Sequence, residues 1–376
     1  VKPLGDLEYY SVYEFVQDYK EGHLSRREMM RRVLYIAGGV ASAASILSLM
    51  GCGGQAAPSV APASSAAPKP AASAAASAKP AASASAKPAA SAAASAAAAS
   101  KPAASASAKP AASGSAAAKP AASQPALLPP RSPLSVKADD PAIDGKDVTF
   151  PGAGGATIMA YEVRPKSASG ALPCVLVCHE NLGLIEHIRD VARRYAKEGY
   201  LAVAVDLLSR EGGTEKMADP ARIPSILASP DNVNRHVGDF KSAADYYSKQ
   251  NFVKQGAIGM NGFCFGGGIT WRAAEELGSA LKAAVPFYGA PPPLDKVKDI
   301  KAAVFGVYSS DPNDFANNNR DQLESALKAA NVTYQFKVYP GTQHAFHADV
   351  RPVYNQEQAL AAWKDTLDWF GKYLKA

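Results

Sequence analysis

Cysteine is scarce: four in 376 residues, at positions 52, 174, 178 and 264. No pair of them, and no group among the six histidines, has the spacing of a zinc site, so no metal cofactor is expected. Acidic and aromatic residues are missing altogether from residues 52–136, which carry seven basic side chains and very few branched apolar ones. A stretch without such residues cannot offset the entropy of ordering its backbone, which excludes a packed core there. The same absence locates the formal net charge of +6: residues 1–51 balance six basic against six acidic groups, and residues 137–376 sum to about minus one. A nucleic-acid-binding protein needs its basic patch on a folded face, and here the surplus is strung along a tether, so no nucleic-acid partner is expected.

What fills the tract is Ala, Ser, Pro and Lys, with Lys-Pro-Ala-Ala-Ser recurring at Lys69, Lys79, Lys87, Lys101, Lys109 and Lys119. Regular prolines limit helix length. The repeat reads as a disordered linker and not a solenoid; as a flexible coil of about 80 residues it spans roughly 50 Å. Three regions follow: 1–52 a signal region, 53–135 the linker and 136–376 a folded domain.

The signal region gives an address. Ser25-Arg26-Arg27-Glu28-Met29-Met30-Arg31 resembles a twin-arginine export motif, and the apolar run Val33 to Met50 leads into Leu49-Met50-Gly51-Cys52, which resembles a bacterial lipobox. That resemblance implies cleavage before Cys52 and lipid on its thiol, placing an exported protein in the cell envelope with its membrane contact through the N-terminal anchor. An uncleaved span is the alternative, since about 18 residues just suffice to cross.

From about Val148 the chain alternates strands and helices. The expected strands are 158–163, 174–178, 201–205, 256–260, 283–287, 302–307 and 335–338. The expected helices are 185–198, 234–248, 269–277, 320–330 and 356–373. Apolar strands without alternation imply a sheet covered on both faces, hence a doubly wound, mainly parallel α/β sheet with functional side chains at the strands' carboxyl ends. Cys174 and Cys178 fall in such a strand, too far apart to bridge, and read as core thiols.

Gly262-Phe263-Cys264-Phe265-Gly266-Gly267 follows one of these strands and opens a helix. Strand, sharp turn and helix is the setting in which G-x-nucleophile-x-G lifts a side chain to the sheet's rim, with the next amides facing the reacting carbonyl. Elsewhere the same hexapeptide would as readily hold a structural cysteine. A histidine and an acid downstream complete the set in the chain order of an α/β-hydrolase. His344 lies in the turn after the last strand and is preferred to His347, which reads as structural. His23, His179, His187 and His236 read as surface or packing residues. For the acid, Asp311 lies nearest the end of the strand through Tyr308 and is preferred to Asp314; either residue also suits helix capping.

Together, His179-Glu180-Asn181-Leu182-Gly183-Leu184, Arg189-Asp190-Val191-Ala192-Arg193-Arg194, the elbow, Tyr288-Gly289-Ala290-Pro291-Pro292 and Tyr339-Pro340-Gly341 with His344-Ala345-Phe346 resemble the dienelactone hydrolase family over about residues 144–374. The resemblance implies a Cys264–His344–Asp triad, although the family's acid aligns one position beyond Asp311. It implies that Glu180 contacts the resting thiol and moves when substrate binds. It also implies an ester or lactone substrate, an acyl-enzyme, and the backbone amides of Phe265 and Asn181 binding the oxyanion. The family's model enzyme has an arginine four residues after its histidine to bind a substrate carboxylate; Ala348 stands there in this chain, and Arg351, Arg235 or a lysine is left to substitute. Trp271, Phe287 and Tyr288 are candidates for an acyl pocket or for core packing. A monomer is favoured. The alternative function, motivated by Ala348 and the long tether, is a non-catalytic envelope-tethered binding or scaffold protein on a hydrolase fold.

Overall fold

The computed structural model describes residues 12, 13, 15, 16, 19, 25–37 and 127–376. The lipobox-like segment with Cys52 and the Lys-Pro-Ala-Ala-Ser repeats lie outside the described residues. Helix α1 (Arg26–Ala37) buries Met29 and Val33 and leaves Ser25, Arg26 and Arg27 exposed.

Eight strands form one sheet: β1 (Ile143–Pro151), β2 (Thr157–Pro165), β3 (Leu172–Cys178), β4 (Leu201–Val205), β5 (Val253–Phe263), β6 (Ala283–Phe287), β7 (Ala303–Ser309) and β8 (Tyr334–Tyr339). Their order is β1-β2-β4-β3-β5-β6-β7-β8, parallel from β4 to β8, with β2 antiparallel to both β1 and β4. The main helices are α2 (Glu186–Lys197), α3 (Ile223–Leu227), α4 (Pro230–Tyr247), α5 (Phe265–Glu276), α6 (Arg320–Ala329) and α7 (Gln356–Phe370).

Strands β4, β6 and β7 are buried along their whole length, as unbroken apolar runs require when helices cover both faces. Strand β5 shows the two layers by parity. A side chain at Gly259 would strike Phe370 and Leu374, whereas one at Gly262, on the other face, would strike α5 at Gly266 and Thr270. Tyr195 of α2 packs on Trp363 of α7 with ring centroids 4.5 Å apart, so these helices share a face.

Two differences from the sequence reading concern the domain's beginning. Strand β1 was not among the expected strands: Asp144, Lys146 and Asp147 sit on an exposed edge, where a strand has little apolar face to betray it. The folded domain also begins before residue 136. Leu128 N donates to Val350 O (2.9 Å), Ser132 N to Asp349 Oδ2 (3.0 Å), and Ser135 Oγ and Val136 N to the two oxygens of Asp190 (2.8 and 2.6 Å). Residues 128–136 are thus a strap bound to the sheet domain rather than the end of the linker.

Candidate active site

Strand β3 lies between β4 and β5, so the chain leaves its carboxyl end toward one neighbour and later returns on its other side. That reversal opens a crevice beyond the carboxyl ends of β3 and β5. Glu180 and Asn181 follow β3, and Cys264 follows β5, so the crevice brings them together.

The elbow is built from close approaches. Cys264 takes φ 58°, ψ −117°, a conformation that side-chain-bearing residues rarely occupy and that persists when the surroundings over-determine it. Its N–H donates to Phe287 O (3.0 Å), tying the turn to β6. A Cβ at Gly262 would fall within 3.0 Å of the Gly266 carbonyl, and one at Gly266 within 3.0 Å of the carbonyls of Cys178 and His179. Both flanking glycines are therefore required for helix α5 to press its first turn against β3 and β5. Phe265 opens that helix, which places its amide at the helix N-terminus beside the sulfur.

The Cys264 thiol lies beside the His344 imidazole, near enough to contribute to the raising of its pKa. On the other side of the ring, His344 Nδ1 bonds Asp314 Oδ1 at 2.9 Å, leaving Nε2 for the sulfur. Burial opposes charge on the ring, but Asp314, and then Cys264, hold its pKa well above the usual imidazole range. Asp314 is itself buried, which raises its pKa; His344, Ser309 Oγ and the amide of Ala316 outweigh that and leave it below the usual carboxylate value.

The acid position is a correction. Asp311, preferred for its nearness to the strand end, does not meet His344; its carboxylate accepts from Asn313 N at 2.9 Å in a local turn. The chain beyond β7 coils so that Asp314 caps the short 3-10 turn Phe315–Asn317 and, with the same oxygen, holds the imidazole. Capping and ring orientation had been weighed as rival roles, and one carboxylate performs both.

The setting of Glu180 also differs from expectation. Expected against the resting thiol, it accepts instead from Arg351 Nη2 (2.7 Å) and Nε (3.2 Å), and Arg351 Nη2 also reaches Asn181 Oδ1 at 3.2 Å. Burial raises its pKa, but Arg351, His187 and His344 bring it net below the usual carboxylate range. Arg351, seven residues after His344, is the cation that sits on Glu180, whereas Arg235 pairs with Glu211.

The other described histidines are buried. His347 stacks on Phe263 (5.1 Å), and burial drives its pKa far down. His179 Nδ1 donates to Glu180 O (2.7 Å), and its Nε2 accepts from Leu207 N (3.1 Å), fixing the loop after β3. His236 packs edge-on to Phe265, its pKa lowered by burial to about 3. His187 meets Asp349 at 2.9 Å. His23 lies outside the described residues. Cys174 and Cys178 are free, fully buried thiols whose ionisation burial suppresses. Trp271, Phe287 and Tyr288 are buried too, and the Tyr288 ring meets His344 at 4.9 Å. Phe315 packs on the imidazole at 4.7 Å and receives the edge of Tyr13 at 5.3 Å. Asp314 and Arg351 are the contributors that sequence position had ranked low or left open. Asp314 had been signalled as the alternative acid, and Arg351 as one of several cations.

Residues 158–374 match the model of the family described as "Dienelactone hydrolase family". Proteins named "Putative carboxymethylenebutenolidase" from Salmonella typhi and Escherichia coli strain K12 are 37% identical over 254 residues and 36% identical over 263 residues. The alignments cover 65% and 66% of this chain and 93% and 96% of those proteins. The crystal structure of a "Putative Dienelactone Hydrolase" from Klebsiella pneumoniae is 36% identical, with a TM-score of 0.57, covering 62% of this chain and all of that one. A family match spanning β2 to the last turn, on a sheet of this order with a nucleophile elbow after β5, has one reading: the chain belongs to the dienelactone hydrolase family of α/β-hydrolases.

Proposed function

We propose that this family member hydrolyses carboxylic esters or lactones through a Cys264–His344–Asp314 triad and an acyl-enzyme. The observation that supports this reading is an imidazole set beside the elbow thiol and bonded at 2.9 Å to a buried carboxylate. An imidazolium beside sulfur favours thiolate, the nucleophilic form. Sulfur attacks the acyl carbon, and the carbonyl oxygen gains the electron pair and is met by the backbone amides of Phe265 and Asn181. Collapse of that adduct breaks the bond to the alkoxy oxygen, which takes its proton from His344. In a lactone the freed hydroxyl stays attached to the acyl group. Neutral His344 then removes a proton from water as it attacks the thioester, and returns that proton to the departing sulfur. Asp314 holds the tautomer that makes Nε2 the working nitrogen.

Arg351 supports an acidic substrate. A substrate carboxylate would compete with Glu180 for its guanidinium, and Glu180, once released, is a base of the right charge to draw the thiol proton. The spent-fold alternative drew on the long tether and on the absence of arginine at 348, and Arg351 weakens the second of these motives. Exported placement, with lipid on Cys52, remains part of the proposal on the strength of the twin-arginine and lipobox motifs.

The test is hydrolysis of short 4-nitrophenyl esters and simple lactones, with mass spectrometry of the trapped acyl group. Activity is expected, with the acyl group on Cys264 and turnover lost in Cys264→Ala at unchanged circular dichroism. An inert protein across that panel, or acylation elsewhere, overturns it. For the anchor, incorporation of labelled palmitate should vanish in Cys52→Ala.

A further inference from the structure

The parallel strands β4 to β8 end on one edge of the sheet, so the loops that follow them ring the crevice holding Cys264. The excursion after β4, which includes α3, stands on one side of that crevice, because β4 lies beyond β3. The turn after β7, Phe315–Asn317, stands on the other, because β7 lies two strands beyond β5. The N-terminal segment touches both rims. Tyr13, helical like Val12, Phe15 and Val16, sets its ring edge on Phe315 at 5.3 Å, and Phe315 packs on the His344 imidazole at 4.7 Å. Helix α1 lies against α3.

Met29 and Val33, four positions apart, form the buried face of α1, and Val12, Phe15 and Val16 are buried as well. Ser25, Arg26 and Arg27 are exposed, so the export-like motif remains accessible while the helix is docked. With the segment in place the site is nearly sealed: Cys264 is 2% exposed and Phe315 4%. The docking is nevertheless incompletely packed. A cavity of about 240 Å³ lies between α1 and residues 219–226, lined by Glu28, Arg31, Arg32, Asp219 and Arg222 among others. Arg32 lies over the Phe15 ring at 5.4 Å and donates through Nε to Glu28 at 3.0 Å, yet its Nη2 is buried with no hydrogen-bond partner among the described residues. A void and an orphaned donor each weaken the docked state, so the helix is held loosely enough to leave.

We propose that the N-terminal segment containing Tyr13 and α1 is a removable cap on the active site: docked on both rims it admits small acyl groups to Cys264 and refuses bulky ones, and its release widens the entrance. The inference rests on the reading of Cys264 as the nucleophile. Tyr13 acts through Phe315, which it holds against the imidazole; without that ring, Phe315 loses the contact on its outer side and can swing away. Hydrolysis of the Gly51–Cys52 bond, which the lipobox-like segment implies, would sever the cap from the domain. The full-length chain is then the narrow form and the processed chain the wide one.

Thiol alkylation of the full chain, with mass spectrometry to locate the label, provides the test. Val33→Asp puts a charge into the buried face of α1, Tyr13→Ala strips the contact on Phe315, and neither touches the triad. In each variant Cys264 should react at least about tenfold faster with fluorescein maleimide than in the native chain, because reaction with a bulky reagent scales with the fraction of open molecules. Iodoacetamide, being small, should gain much less. Cys174 and Cys178, buried in β3, should stay unlabelled and so report an intact sheet. Unchanged or slower labelling of Cys264 in either variant overturns the proposal. An equal gain with both reagents also overturns it, since the thiol's reactivity and not its access would then have changed. Should Cys174 and Cys178 become labelled in one variant, the other decides; labelled in both, they make the segment part of the fold's core, and the cap is refuted. Alkylation needs no turnover, so a failure of the acyl-enzyme reading appears separately, in the ester assay with the native chain.

Discussion

Asp314 and Asp311 differ by three positions and by everything that matters to an imidazole. Asp314→Asn keeps the shape but offers His344 the wrong hydrogen-bond partner; kcat is expected to fall by on the order of 10⁴, as for the corresponding carboxylate of a serine triad. Asp311→Asn, which touches only its own turn, should leave kcat unchanged, and the pair of rates is the check. Glu275 makes a second prediction. Its carboxyl is buried with Oε1 unpartnered, and burial, only partly opposed by Arg272 and Lys296, lifts its pKa to about 8. A carboxyl raised from 4.5 to about 8 must take up a proton on folding, so stability falls as pH rises across that window. Glu275→Gln should therefore raise Tm by about 2–4 °C at pH 9 and by little at pH 4, measured by calorimetry. Cys264 and His344 were legible because their neighbours announce them, a glycine-flanked turn and a Pro-Gly loop. Asp314 was not, because a loop's coiling decides which of two acids faces inward, and spacing from the strand end carries no record of it.

Among the elements, the elbow has the least freedom. Gly266→Ala sets a methyl group against the carbonyls of Cys178 and His179, which cannot retreat without disturbing β3. Overpacking of this kind costs about 1–3 kcal/mol or more; urea unfolding should show at least that loss, together with lower activity in the fraction still folded. The buried strands were read within a few residues, and β4 and β6 to the residue, since apolar runs flanked by turn residues mark them. Strand β1 was illegible for the opposite reason. It is an edge of mostly exposed polar residues whose pairing with β2 is fixed by backbone hydrogen bonds, to which composition is blind.

Across the whole molecule, Asp349 joins parts that sequence analysis had assigned to different regions. It accepts from Arg194 of α2 at 2.8 Å and from Ser132 of the strap at 3.0 Å, and it meets His187 at 2.9 Å. Asp190 answers from the other side, bonding Arg194, Ser135 and Val136. Removing one member of a buried charge network strands the others, so Asp349→Asn is expected to cost about 3–5 kcal/mol in denaturant unfolding. The strap was hidden because its Pro, Ser and Leu composition continues that of the tether; its partners lie more than fifty and more than two hundred residues away.

That Glu180 and Arg351 are 171 positions apart has a consequence for biogenesis. In the proposed triad the acid and base partners follow β7 and β8, strands made long after the cysteine itself, so a chain still emerging from the ribosome would carry only an ordinary thiol. Reactivity would arrive only once the last strand in the chain, β8, is made. An unfinished or misfolded copy would thereby be spared stray acylation of that sulfur, and loss of β8 would disarm it without touching it.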